Sequence, residues 1–125
     1  MAQHNELGKR GEQAAARYLL MHGYTLLAHD WRLGHKDLDL VVQKDGVTVF
    51  VEVKTRATDD FGAPEEAVDH EKICNIISAA QAYVRRNNII GPVRFDVISV
   101  VGTQEPYSIT HFTDAFNSHS QQWCK

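Results

Sequence analysis

The sequence predicts a single α/β domain in which helices flank a mixed central β-sheet, with the elements in the order αβββαββ. Two segments carry apolar residues at the spacing of an amphipathic helix, whereas the segments around them alternate polar and apolar residues or run continuously apolar. The chain has 125 residues, the length of one ordinary domain, and it contains no linker or internal repeat. We therefore expect residues 1–125 to form one domain with its core at about residues 5–118.

Turn and capping residues mark the ends of each element. The first helix is predicted over residues 5–22, before Gly23, and the second starts at Pro64 and closes with Arg85 and Arg86. Strands are expected at residues 24–29, 37–42, 47–54, 92–101 and 107–112, followed by a final helical turn at residues 113–119.

Charge and composition limit the classes of function. Sixteen acidic and thirteen basic residues give a formal net charge of −3, so the chain lacks the broad basic surface of many nucleic-acid-binding proteins. No apolar run approaches the ~20 residues of a membrane span, and the first residues lack the hydrophobic core of a signal peptide. The only cysteines, Cys74 and Cys124, form no metal-binding or disulfide-framework pattern. These features predict a cytoplasmic protein with reduced cysteines and no membrane partner.

A predicted hairpin brings together the residues that carry chemistry. Residues 44–46, Lys-Asp-Gly, are typical of a tight turn, with Asp39 on the strand before it and Glu52 and Lys54 on the strand after it. Side chains alternate along a strand, so Glu52 and Lys54 share one face, while Asp37 and Asp39 share the face opposite the apolar residues of their own strand. Pairing the two strands with their apolar sets together places Asp39, Glu52 and Lys54 in one cluster.

Two neighbouring carboxylates beside a lysine suit metal-assisted hydrolysis of phosphodiesters. The carboxylates repel each other unless a cation or proton lies between them, and Mg²⁺ prefers such oxygen ligands. The lysine could orient an attacking water or stabilise charge on phosphate. A Glu-x-Lys pair on a strand is more often a solvated face with a weak ion pair. The almost continuously apolar run at residues 47–53 favours the functional interpretation, because charges on a buried central strand are costly.

Glu12 is a further candidate on the first helix. It flanks the apolar stripe of that helix, so its carboxylate lies beside the inward face and needs a partner. A role as an acid of the first helical turn explains the residue equally well.

Motifs along most of the chain resemble the bacterial YraN family. They are Gly8-x-x-Gly11-Glu12, Gly23-Tyr24, Asp30-Trp31-Arg32, Asp37-Leu38-Asp39-Leu40, Phe50-Val51-Glu52-Val53-Lys54-Thr55-Arg56, Phe61-Gly62, Ala67-Val68, Lys72, Arg94-Phe95-Asp96-Val97 and Asp114-Ala115-Phe116. The resemblance covers about residues 7–118. The family looks like a small member of the PD-(D/E)XK nuclease superfamily, similar in its core to archaeal Holliday-junction resolvases.

The resemblance implies a restriction-endonuclease-like sheet and a role for each candidate residue. It makes Asp39 and Glu52 ligands of Mg²⁺ or Mn²⁺, with the backbone carbonyl of Val53 as a third ligand. Lys54 becomes the catalytic lysine, and Glu12 becomes the helix-borne acid of resolvase-like members.

One departure from the family lies beside this site, and several cations surround it. The chain has Lys36-Asp37-Leu38-Asp39 where the family usually has Gly-Glu-Ile-Asp, which adds a cation and leaves any accessory role of Asp37 open. We expect Asp96, on an apolar strand, to pair with Arg94 or Arg56. A solvated side chain is the ordinary interpretation of Lys72, but it could also meet a phosphate. The candidates for contacts with nucleic acid are Lys9, Arg10, Arg32, Lys36, Arg56 and Lys72.

These residues favour a metal-dependent endonuclease that hydrolyses DNA, including branched or structured DNA. A nucleic-acid-binding module of the same fold with little or no turnover is the alternative. A partner-binding domain without a nucleic-acid role is more remote, although the negative net charge favours it. The sequence leaves open whether the chain forms a homodimer.

Overall fold

A computed structural model describes residues 2–58 and 69–117. The elements are α1 (Ala2–Met21), β1 (Thr25–Leu33), β2 (Lys36–Lys44), β3 (Val47–Arg56), α2 (His70–Arg86), β4 (Val93–Val101) and β5 (Ser108–Phe116). The order αβββαββ and the α/β class are therefore confirmed.

The five strands form one mixed sheet in the spatial order β1-β2-β3-β4-β5. Strands β3 and β4 are parallel, and the other neighbours are antiparallel. A parallel pair requires a crossover connection, which here includes α2. The prediction that the Asp39 and Glu52 strands are adjacent is confirmed, and β3 is the central strand.

A helix covers each face of the sheet, which explains why β3 is apolar on both sides. One core packs against Ala14, Ala15 and Leu19 of α1, and the other packs against Ile76, Ile77, Ala80 and Tyr83 of α2. The α1 core takes from the sheet the side chains of Leu40, Val42, Val49, Val51, Val53, Ile98 and Val100. The α2 core takes those of Leu38, Val41, Phe50, Phe95, Val97 and Phe116.

The prediction that side chains alternate regularly between the two faces of the sheet along β2 is wrong around Asp39. Leu38 belongs to the α2 core, whereas Leu40, two residues later, belongs to the α1 core. The change coincides with the end of the β2–β3 pairing at Leu40 and with a left-handed Asp30 (φ 48°) on neighbouring β1. Asp39 therefore lies at an irregular point of the sheet, where neither face is continuous.

The hairpin turn between β2 and β3 lies at the residues that the sequence predicts. Asp45 and Gly46 both have positive φ (53° and 79°), the backbone that a tight hairpin with right-handed twist requires. Helix α2 starts after the N-cap Asp69, whose side chain accepts a hydrogen bond from the Lys72 amide. The predicted start at Pro64 lies outside the described residues.

The predicted helical turn at residues 113–119 is wrong over its described part. Strand β5 continues to Phe116 because it pairs with β4, and Phe116 is buried against Phe95. Residues 118 and 119 lie outside the described part of the chain.

An ion pair between Asp96 and Arg94 connects β4 with β5 and with Tyr24. Asp96, with no exposed surface, accepts two hydrogen bonds from Arg94 (2.9 and 2.8 Å) and one from the amide of Asp114 (3.0 Å). His111 Nε2 lies 2.7 Å from the same carboxylate, and Arg94 also donates to the Tyr24 hydroxyl. The expected pairing of Asp96 with Arg94 is confirmed, and its carboxylate stabilises the fold at the β4–β5 bulge.

The cysteine expectation needs a correction. Cys74 is disulfide-bonded, whereas the sequence pattern predicted reduced cysteines. The chain's other cysteine, Cys124, lies outside the described residues. Among the described helices, none combines the length and the apolar character that crossing a membrane requires.

Candidate functional site

Strands β2 and β3 separate at the point where the predicted site lies. Their pairing runs from Lys44 opposite Val47 to Leu40 opposite Val51. At the next position Asp39 Oδ2 accepts a hydrogen bond from the Val53 amide (2.9 Å), so a side-chain oxygen bonds this backbone group. This hydrogen bond fixes the Asp39 carboxylate in the fork between the strands.

Glu52 places a second carboxylate in the same fork, and it is almost fully buried. The side chain of Glu52 is 5% exposed, and its Oε2 has no hydrogen-bond partner among the described residues. Burial, followed by the hydrogen bond and negative charge of Asp39, raises the pKa of Glu52 to about 9. Such a buried, unsatisfied oxygen is costly unless a proton or cation joins it.

Helix α1 brings Glu12 towards the same acids. Burial raises the pKa of Glu12 to about 7, with further contributions from Asp39, Asp30 and Asp37. The approach of α1 to β3 depends on Gly11, because a Cβ atom there would overlap the side chain of Thr55. We call Glu12, Asp37, Asp39 and Glu52 the acidic cluster.

Lys72 lies against the acidic cluster rather than in solvent. Its Nζ is 3.4 Å from Glu52 Oε2 and 3.8 Å from Asp37 Oδ1, and the side chain is 35% exposed. Burial opposes the charge, but Glu52, Asp37 and Asp39 together raise the pKa of Lys72. The lysine is thus a charged neighbour of the buried acid. The sequence feature that could have predicted this contact is the position of Lys72 in the first turn of α2, the helix that follows β3.

Lys54 occupies the position that the hairpin argument predicted. It follows Glu52 by two residues on β3, and its side chain is partly buried. Its charge acts on Glu52 in the direction that lowers the pKa of the carboxyl group, so the two groups are electrostatic neighbours. Asp39, Glu52 and Lys54 therefore come together, with Glu12 approaching from α1.

Two of the candidate phosphate-binding cations lie on the α1 side of the cluster. Lys9 and Glu12 line a groove of about 430 Å³ between α1 and β1, together with His29 and Asp30. The guanidinium of Arg32 is bonded to Asp30 (3.1 Å), and its charge acts on the pKa of Glu12.

Of the four remaining candidates, Lys72 is described above, and Arg10, Lys36 and Arg56 have other neighbours. Arg10 lies 3.9 Å from Glu6 on the exposed side of α1, and Lys36 donates a 2.6 Å hydrogen bond to Ser78 on α2. Arg56 ends β3, and its carbonyl accepts a hydrogen bond from Gly102 (2.9 Å). The cations thus surround the sheet end instead of forming one patch, and their contacts with nucleic acid stay a prediction.

Comparison with known proteins identifies the family. The model of the uncharacterised protein family UPF0102 matches residues 11–100. The chain belongs to the UPF0102 family. This result confirms the YraN-like resemblance at the level of the family.

Similar UPF0102 proteins match almost end to end. A UPF0102 protein of Bacteroides thetaiotaomicron is 50% identical over 116 residues, which cover 93% of this chain and 96% of the relative. Another, from Phocaeicola vulgatus, is 45% identical with the same coverage, and one from Flavobacterium psychrophilum is 40% identical over 93% of this chain and 98% of the relative.

The fork of this UPF0102 chain has the chemistry to hold a hard divalent cation. Within residues 2–58 and 69–117, no three or more His, Cys, Asp or Glu side chains are arranged to hold a metal. Two carboxylates, Asp39 and Glu52, are nevertheless the number that Mg²⁺ commonly takes from protein, with waters completing its shell. The unsatisfied Glu52 oxygen beside a second carboxylate fits that cation. The structure shows the amide of Val53 engaged by Asp39, while a ligand role for the Val53 carbonyl stays a prediction.

Proposed function

We propose that this protein is a metal-dependent endonuclease that hydrolyses phosphodiester bonds of DNA. One observation carries the proposal: Glu52, buried and with an unsatisfied oxygen, faces Asp39 in a fork of the central sheet. A fold gains no stability from a buried carboxylate, Glu52, beside a second, half-buried one, Asp39, so their retention together suits a site that binds a cation. The likeness of the motifs to PD-(D/E)XK nucleases supports the same reaction class.

In this proposal the bound metal ion and the side chains of the protein have separate roles. Asp39 and Glu52 would hold Mg²⁺ or Mn²⁺, which supplies Lewis-acid stabilisation of charge on the phosphate. Lys54, on the same face of β3 as Glu52, donates a hydrogen bond to the attacking water or to a phosphate oxygen as its charge develops. Glu12, with a pKa of about 7, can hold or release a proton near neutral pH.

Cations around the fork support a nucleic-acid substrate. Lys9 and Arg32 border the α1 side of the acidic cluster, and Lys72 borders its α2 side. A phosphate chain that crosses the fork would meet positive charge on both sides, which offsets the repulsion expected from a net charge of −3. Branched or flapped DNA is the substrate class that the resolvase resemblance favours.

A nucleic-acid-binding module without turnover is the second candidate. The ion pair between Lys72 and Glu52 favours it, because a protein cation already lies at the acid that a metal would need. Such a module would bind DNA in a salt-dependent manner and would not require a divalent cation.

A cleavage screen separates the two candidates. The substrates are branched, flapped, single-stranded and duplex DNA, each incubated with Mg²⁺, Mn²⁺ or chelator. We expect metal-dependent cleavage by the parent, none by Asp39→Ala, and parental cleavage by Glu105→Gln, whose exposed carboxylate pairs with Arg17 away from the fork. Salt-sensitive binding by the parent without cleavage of any substrate would contradict the nuclease proposal and favour the binding module.

A further inference from the structure

The Lys72 ammonium lies against Glu52, one of the two proposed metal ligands, and against Asp37 of the acidic cluster. Glu52 is 5% exposed with an unsatisfied Oε2, and Lys72 Nζ is the cation that approaches that oxygen, at 3.4 Å. The same ammonium lies 3.8 Å from Asp37 Oδ1. Lys72 therefore bridges a buried and a half-exposed member of the acidic cluster through two ion pairs.

The first turn of α2 holds the lysine in this place. The Asp69 side chain caps the helix by accepting a 2.9 Å hydrogen bond from the Lys72 amide, which fixes the backbone from which the side chain extends. The ammonium itself is on a flexible four-carbon stem, and the side chain is 35% exposed. The backbone is thus anchored, while the charged end has a path to solvent.

We propose that Lys72 is a displaceable counter-cation of the acidic cluster, which lies against Glu52 before a divalent cation binds and moves away when one does. The inference rests on the proposed metal site. A divalent cation between Asp39 and Glu52 would lie within a few ångströms of the ammonium, and like charges at that distance repel by more than thermal energy even in water. Binding of the metal must therefore move Lys72 outwards, where its charge becomes available to a phosphate of the substrate.

This arrangement predicts weak metal affinity that improves when the lysine charge is removed. Lys72→Met keeps the apolar stem and the helix propensity, and Lys72→Gln is a second neutral variant with a polar end. Mn²⁺ titration calorimetry should show about tenfold tighter binding in both variants, equivalent to about 1.4 kcal/mol. Lys72→Arg retains the charge and should bind Mn²⁺ as the parent does. Lys44→Met is the matched control, because Lys44 donates to the His22 carbonyl away from the acidic cluster.

Chemical labelling tests the displacement itself. Acetic anhydride modifies accessible amines, and mass spectrometry measures the extent of modification at each lysine. Mn²⁺ should increase the modification of Lys72 severalfold in the parent, with no increase in Asp39→Ala and no change at Lys44.

The outcomes separate this inference from the proposed function. Mn²⁺ binding by the parent, with the same affinity in Lys72→Met and Lys72→Gln, would overturn the counter-cation role and leave the metal site intact. No Mn²⁺ binding by the parent or by either neutral variant would overturn the metal site and the inference together. Binding by the neutral variants alone would support the inference in its strongest form.

Discussion

Replacing Glu52 by glutamine should stabilise the protein at alkaline pH while abolishing metal binding. The native state raises the pKa of Glu52 from 4.5 to about 9, chiefly because the side chain is buried and lies beside Asp39. A raised carboxyl pKa means that the folded state binds the proton more tightly than the unfolded state. Stability is therefore lost as pH rises from about 4.5 towards 9, and the neutral amide of Glu52→Gln avoids that loss.

The stability that Glu52→Gln gains depends on the pKa shift of Glu52 and on the neighbouring charges that reduce its cost. Each pKa unit corresponds to ~1.4 kcal/mol, so the whole shift sets an upper limit of ~6 kcal/mol. Attraction to Lys72 and its coupling to Asp39 reduce the cost that a single substitution recovers. We expect a gain of ~2 kcal/mol at pH 8, which for a domain of this size raises Tm by ~8 °C. At pH 5.5 the gain should fall below ~1 kcal/mol.

Urea unfolding in chelator at the two pH values measures this difference. Glu105→Gln is the matched control, because Glu105 is an exposed carboxylate paired with Arg17, and its replacement should not change the pH dependence. Added Mn²⁺ should stabilise the parent by mass action and leave Glu52→Gln unchanged. A Glu52→Gln protein that is less stable than the parent at pH 8 would refute the reasoning and assign Glu52 to a structural ion pair with Lys72.

Three other substitutions test separate parts of the molecule. Lys54→Met should lower single-turnover cleavage by ~10²–10³ while DNA affinity at fixed salt is retained, and unchanged cleavage would remove the catalytic role. Gly11→Ala should destabilise the fold by ~1–3 kcal/mol in urea unfolding, because its Cβ overlaps Thr55, and Thr55→Ala in the same chain should recover part of that loss. Asp96→Asn leaves the Arg94 charge without its buried partner, so thermal unfolding should show a loss of ~3–5 kcal/mol; a loss below ~1 kcal/mol would contradict that account.

Local sequence patterns predicted most of the fold, because the spacing of apolar residues indicates the two core faces and the turn residues mark where strands end. The apolar run of β3 predicted a strand buried on both sides, and the Asp45-Gly46 turn predicted its antiparallel pairing with β2. The end of β5 was predicted wrongly, as a helical turn, because pairing with β4 extends the strand beyond what its own residues favour. Strand formation there depends on a neighbour that is distant in the sequence.

The sequence by itself also predicted which charged residues meet in the fork: strand spacing and one hairpin place Asp39, Glu52 and Lys54 together. Only the tertiary structure decided how they are held. The Asp39 bond to the Val53 amide, the break in alternation at Asp39 and the approach of Lys72 to Glu52 each join separate elements. Spacing along the chain determines which residues share a face, but the distance between charges on different elements depends on how the helices pack against the sheet. That packing buries Glu52 and brings the Lys72 ammonium beside it.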